Sequence, residues 1–193
     1  MLWPLLLQLG LILTNAVFAC AEIAIISIND NKLAKLTATG DKQAKRLTRL
    51  TSQPARFLAT IQVGITLAGF LASAFAANNF SDRLANRLVS LGVKVPLVTL
   101  DTISVIAITL ILSYFTLVLG ELVPKRVAMK NSEKLALALS GLVQFVSSIF
   151  SPVVWLLTVS TNGLLRLMRI DPHAVDDDIT EEEIRMMVDR GSE

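Results

Sequence analysis

Three apolar runs, at positions 5–28, 57–77 and 96–119, constrain this chain more than any other feature. Roughly twenty consecutive apolar residues cross the hydrocarbon core of a bilayer as a helix, because each residue advances the axis by about 1.5 Å. An open strand in lipid would leave backbone donors and acceptors unpaired. No ten-residue alternating pattern of a barrel occurs either, so all three runs are predicted to be helices. A hydrophobic content of 53%, a charged content of 18% and a mean hydropathy of +0.60 put the chain outside the soluble range. The first run has no basic residues before it and stays apolar from Leu2 to Ile28, too long for a cleaved signal peptide. Val17-Phe18-Ala19-Cys20 resembles a lipoprotein cleavage box only faintly, so the run is read as a permanent span.

The charges set the expected topology. Between residues 31 and 56 lie Lys32, Lys35, Lys42, Lys45, Arg46, Arg49 and Arg56 against one acid, Asp41. The next connection holds Arg83, Arg87 and Lys94, and Lys125, Arg126, Lys130 and Lys134 follow the third run. By the positive-inside rule the N-terminus is predicted outside, with the first loop and the end of span three in the cytoplasm of a plasma-membrane protein. Lys42, Lys45, Arg46 and Arg49 also fall at helical spacings that would suit anionic lipid or a cytosolic domain, although orientation alone explains them. A net charge of +2 gives no concentrated basic face for nucleic acid. The single cysteine, Cys20, and the single histidine, His173, exclude an internal disulfide and a zinc site built from His/Cys clusters.

A further apolar stretch, 135–165, is interrupted by Ser147, Ser148, Ser151 and Pro152 and is predicted to break near Pro152. Its halves are each short of a full crossing. A re-entrant or interfacial helical hairpin is therefore expected, with one long tilted fourth span as the alternative. Residues 1–170 read as an all-α transmembrane domain, and 171–193 as an acidic cytoplasmic linker. There Asp176, Asp177 and Asp178 precede Thr180-Glu181-Glu182-Glu183, a capping-box pattern for a helix leading to something longer.

Several residues inside the spans can carry chemistry. Span two bears two ladders of small residues, Gly64, Ala68, Ala72 and Ala76, and beside them Gly69, Ser73 and Ala77. Four-residue spacing permits close helix packing, and it also bares carbonyl oxygens to a neighbouring cavity. Thr66 and Gln62 add oxygens on the same helix. Glu22 lies inside span one, where a carboxylate is costly; it belongs either to an ion path or to a pair with a basic residue such as Lys125. Gly120-Glu121-Leu122-Val123-Pro124-Lys125 ends span three. Gly120 is expected to open the helix and Pro124 to withhold a donor, freeing carbonyls at a negative helix end beside Glu121. That suits a hard cation, while an ordinary helix end with Lys125 as the partner of Glu121 is the alternative.

Glu22 and Ser27, the basic first loop, Thr60-Ile61-Gln62-Val63-Gly64-Ile65-Thr66-Leu67-Ala68-Gly69, Gly120-Glu121-Leu122-Val123-Pro124-Lys125 and Thr180-Glu181-Glu182-Glu183 together resemble the transmembrane domain of the CorC/CNNM (cyclin M, hemolysin C-related) magnesium transporters. The resemblance covers nearly the whole chain. It implies a homodimer of three-span subunits plus a helical hairpin, an Mg²⁺ site among the spans, and export of Mg²⁺ coupled to Na⁺. It also implies cytosolic CBS domains, which bind ATP, beyond the tail. Carried over, it makes Glu121 the carboxylate ligand, Gly120 and Gly64 carbonyl donors and Ser27 a hydroxyl ligand; Thr66 and Gly69 complete the candidate metal residues, and Glu22, Gln62, Ser73 and Lys125 are the candidate ion path. The chain departs from the family at Ala19 and Ala21, where serines are frequent, and at Gly69, where an asparagine is. An alternating-access Mg²⁺ transporter is thus the expected function. The competing class is a non-transporting anchor and dimerisation module for the CBS domains. An intramembrane enzyme is not expected, because Asp101 is the only aspartate within a span and no span holds a histidine.

Overall fold

In the computed structural model, residues 2–93 and 95–170 are described, and among them the chain is helical with no strand. The long helices are α1 (Leu2–Ile26), α4 (Pro54–Ala76) and α6 (Leu97–Leu117). Between the first two lie α2 (Asp30–Ala38) and α3 (Lys42–Thr51); α5 (Asp82–Ser90) follows α4, and α7 (Val123–Lys130), α8 (Ser132–Ile149) and α9 (Ser151–Leu167) complete the order. Three helices are long and apolar enough to cross a bilayer, with a fourth crossing if α8 and α9 count as one broken span. The expected capping box at Thr180 and the acidic linker lie outside the described residues.

Two of the spans run further than their apolar stretches. The second continues as one helix from Pro54 to Ser90 and the third from Leu97 to Lys130. Each absorbs its irregularity in a short π-helical segment, Ala77–Ser81 and Val118–Leu122. A π turn accommodates an extra residue without breaking the helix, and such segments concentrate at functional sites. The opening expected at Gly120 is therefore a widened turn. Pro124 has no N–H, so the turn that holds Gly120 is short of one backbone donor.

The basic first loop is not an extended connection. Asn29 caps α2 by accepting from the Lys32 N–H at 3.1 Å, and Asp41 caps α3 by accepting from Gln43 and Ala44 at 2.7 and 2.9 Å. Gly40, at φ +87°, makes the turn between them. Ala44, Leu47 and Leu50 recur on one face of α3 and enter a core with Phe18, Ala24 and Ile25 of α1, Phe57 and Ile61 of α4, and Val143 of α8. The charged face stays in solvent, and Lys32 pairs with Glu133 of α8.

The break expected near Pro152 occurs at Phe150, with Pro152 in the first turn of α9, where its missing donor costs nothing. Contacts divide the chain at this point: Met1–Ser151 forms one compact unit, and α9 is the described helix of the other.

Candidate functional site

α1, α4 and the α6–α7 helix converge around Glu121. Glu22 stands on α1, and Glu121 and Lys125 stand one turn apart across the π segment and the start of α7. The Lys125 Nζ donates to Glu121 Oε1 at 2.9 Å and lies 3.1 Å from Glu22 Oε2. The Glu22 oxygen is buried and receives no directed hydrogen bond, so its contact with the ammonium is one of charge. The three side chains are each between a fifth and about a third exposed.

The π segment is tied to α1 by one buried bond. Asn15 Nδ2 donates to the Gly120 carbonyl at 3.0 Å, adding a side-chain donor to a turn that Pro124 leaves one backbone donor short. Because a carbonyl can only accept, this bond fixes the orientation of the amide and leaves Asn15 Oδ1 buried with no partner. The approach is close: a Cβ on Gly120 would sit 3.2 Å from the Ile12 carbonyl oxygen and 3.3 Å from Asn15 Nδ2. Asn15 was missed by the sequence reading, although an uncapped asparagine in the middle of an apolar span was the available signal.

A groove of ≈ 230 Å³ runs between α4 and α6, lined by Gly69, Ser73, Ser113, Thr116 and Glu121 among others. The two small-residue ladders of α4 therefore differ. Gly64 packs on Phe18, whose ring carbons would lie 3.0 Å from a Cβ there, and Ala68, Ala72 and Ala76 continue the buried line. Gly69, by contrast, has open space where a Cβ would be.

The expected site residues thus fall into groups. Glu121, Gly69 and Ser73 share the groove; Glu121, Glu22 and Lys125 share the ion cluster; Gly120 is joined to α1 through Asn15. Gly64 lies in the α1–α4 seam. Gln62 is exposed and donates to Thr66 Oγ1 at 3.4 Å, within α4 itself. Ser27 is exposed just beyond the end of α1, where its N–H closes the last turn on Ile23. No group of three or more His, Cys, Asp or Glu side chains gathers among the described residues.

Residues 6–193 match the profile of the family described as the cyclin M (CNNM) transmembrane N-terminal domain. The chain belongs to this family. Among curated relatives of the cyclin M domain, it is 36% identical over 183 residues to a UPF0053 protein of Synechocystis sp., covering 95% of this chain and 40% of that protein. It is 30% identical over 187 residues to a protein of Haemophilus influenzae named polyamine export protein, covering 95% of this chain and 42% of the relative. A UPF0053 inner membrane protein of Escherichia coli is 29% identical over 175 residues, 90% of this chain and 37% of that protein. The cyclin M domain chain therefore spans about two-fifths of the length of these relatives.

Proposed function

We propose that this domain passes a cation across the membrane, holding it at Glu22 and Glu121, with Lys125 as a resident counter-ion that the cargo displaces. The observation that carries this reading is the Lys125 ammonium placed 2.9 Å from one carboxylate and 3.1 Å from the other, at the end of a groove between two spans. Carboxylates at membrane depth are costly unless paired, and a pair already holding an alkylammonium group has the charge and spacing for a second one. An aliphatic polyamine presents that same group, so it is the cargo class the geometry favours. Two relatives named polyamine export protein, at 30% and 27% identity, support the choice.

Mg²⁺, exported in exchange for Na⁺, is the second reading. It is favoured by the groove, where the Thr116 and Ser73 side chains line the same space as Glu121, next in sequence to the Gly120 carbonyl. Mg²⁺ demands six oxygens in near-octahedral geometry and keeps waters readily, so such a site would combine one or two carboxylates with carbonyl, hydroxyl and water oxygens. In either reading the domain works as a homodimer, with its N-terminus outside and CBS domains attached on the cytoplasmic side. A non-transporting anchor for those domains is the remaining alternative.

A thermal-stability titration separates the three. A ligand that binds only the folded state raises stability by RT ln(1 + [L]/Kd), about 2.7 kcal/mol at a hundredfold excess over Kd. Spermidine is expected to raise the melting midpoint of the detergent-purified chain, and Glu121→Gln to abolish that rise. A Glu121-dependent shift with Mg²⁺ alone would move the cargo to the metal. No Glu121-dependent shift with spermidine, Mg²⁺, Ca²⁺ or Na⁺ would sink both transport readings in favour of the anchor.

A further inference from the structure

We infer that a second polar cleft, between the start of α4 and the C-terminal end of α8, binds the phosphate of an anionic phospholipid headgroup. The cleft measures ≈ 200 Å³, and Arg49, Arg56, Gln53, Gln144, Ser147 and Ser148 are its polar lining. Two arginines thus line a space whose other polar residues carry hydroxyls and amides. No carboxylate lines it, and neither arginine pairs with a carboxylate among the described residues.

The surrounding contacts hold Arg46 against α8 and Arg56 against Ser151, just past the end of that helix. Arg56 Nη2 donates to Ser151 Oγ at 2.8 Å, and Arg46 Nη1 lies 3.2 Å from where a Cβ on Gly141 would sit. Orientation by charge requires basic residues near the end of a span. It does not require them to converge on one recess, whereas a phosphate does, because guanidinium forks bind its oxygens in pairs. The depth also fits. Leu50 and Phe57 also line the cleft, and α4 passes from Arg56 into the predominantly apolar run that begins at Phe57. The cleft therefore sits where a span leaves the hydrocarbon, which is the level of lipid phosphates. An acyl chain descending from that phosphate would lie along the exposed apolar surface of the spans. A soluble phosphate would use only the polar half of the recess.

The test uses the detergent-purified chain, with phosphatidylglycerol as the probe and phosphatidylcholine and inorganic phosphate as the comparison arms. Melting midpoints and native mass spectra of retained lipid are the readouts. Phosphatidylglycerol is expected to raise the midpoint and to remain bound where phosphatidylcholine does not. Arg49 makes no side-chain hydrogen bond among the described residues, so Arg49→Gln removes a charge without removing an internal contact. It is expected to weaken phosphatidylglycerol binding about fivefold, the effect of one basic group near an anionic surface. Arg56→Lys keeps the charge but loses the fork and is expected to weaken binding by less; Arg83→Gln with Arg87→Gln, on α5, should leave it unchanged. Three results would overturn the assignment: an equal effect of inorganic phosphate, equal binding by Arg49→Gln and the unaltered chain, or binding that appears only after residues 171–193 are removed. The last would make the chain's own acidic tail the occupant.

Discussion

Along one face of α4, Gly64 is buried against Phe18 of α1 and Ala68, Ala72 and Ala76 continue the buried line, whereas on the adjacent face Gly69 and Ser73 border a groove that reaches Glu121. Both ladders have the same four-residue spacing. One is a packing seam in which small side chains let two helices approach, and the other is a wall whose lack of side-chain volume leaves room for something else. Spacing alone therefore says that helices or ligands come close, and only the neighbouring helix says which. The spans differ in the same sense: 39% of the most apolar window of the first is buried within the chain, against 11% for the third. The third span is left to face lipid or a partner over most of its surface.

Substitutions can break this contrast, beginning with the ion cluster where groove and helix ends meet. Lys125→Met leaves Glu22 and Glu121 without their shared cation, and removing one member of such a group costs more than the intact group contributes. With these side chains partly exposed, the expected loss is about 1–3 kcal/mol, seen as a drop of several degrees in the melting midpoint. Added spermidine or Mg²⁺ should restore part of it, and restoration by neither would show that the carboxylates do not serve as a cation seat.

Gly64→Val drives two methyl groups into the Phe18 ring and should destabilise by about 1–3 kcal/mol, the usual range for overpacking. Truncating the ring as well, in Gly64→Val with Phe18→Leu, should recover part of that loss; additive losses would place the strain elsewhere. Asn15→Leu removes the side-chain donor to the Gly120 carbonyl, at an expected cost of about 1 kcal/mol, because it also removes an unpaired amide oxygen. Its more telling effect is on ligand response: if the π segment shapes the site, the Glu121-dependent shift with cation weakens along with stability. Gly69→Ala is the smallest change. Open space receives its Cβ, so stability should stay within about 0.5 kcal/mol of the unaltered chain, and only occupancy of the groove should fall. A large loss of stability at Gly69 would mean that this face, too, is a packing seam.

The three long apolar helices and the break in the fourth apolar stretch were legible in the sequence, and the pairing of Lys125 with Glu22 or Glu121 was among the readings it left open. Each follows from a local or nearly local rule: run length against bilayer thickness, the missing donor of Pro152, and the cost of an unpaired carboxylate in lipid. The helices of the first loop were half legible. Asn29 and Asp41 are capping residues at correct positions, but the density of lysine and arginine drew the reading toward topology rather than toward the apolar face of Ala44, Leu47 and Leu50.

Amino-acid order alone determined that the chain is helical in a membrane and that Pro124 leaves the turn around Gly120 short of a backbone donor, since both depend on backbone groups that must be satisfied within a few residues. Only the tertiary structure decided that Asn15, 105 positions away, donates to the Gly120 carbonyl, that Lys125 reaches both carboxylates at once, and that one small-residue ladder packs while the other lines a groove. Those outcomes depend on which helix becomes the neighbour of which, and hydrophobicity within a membrane does not choose between neighbours, because lipid is as apolar as the faces it covers.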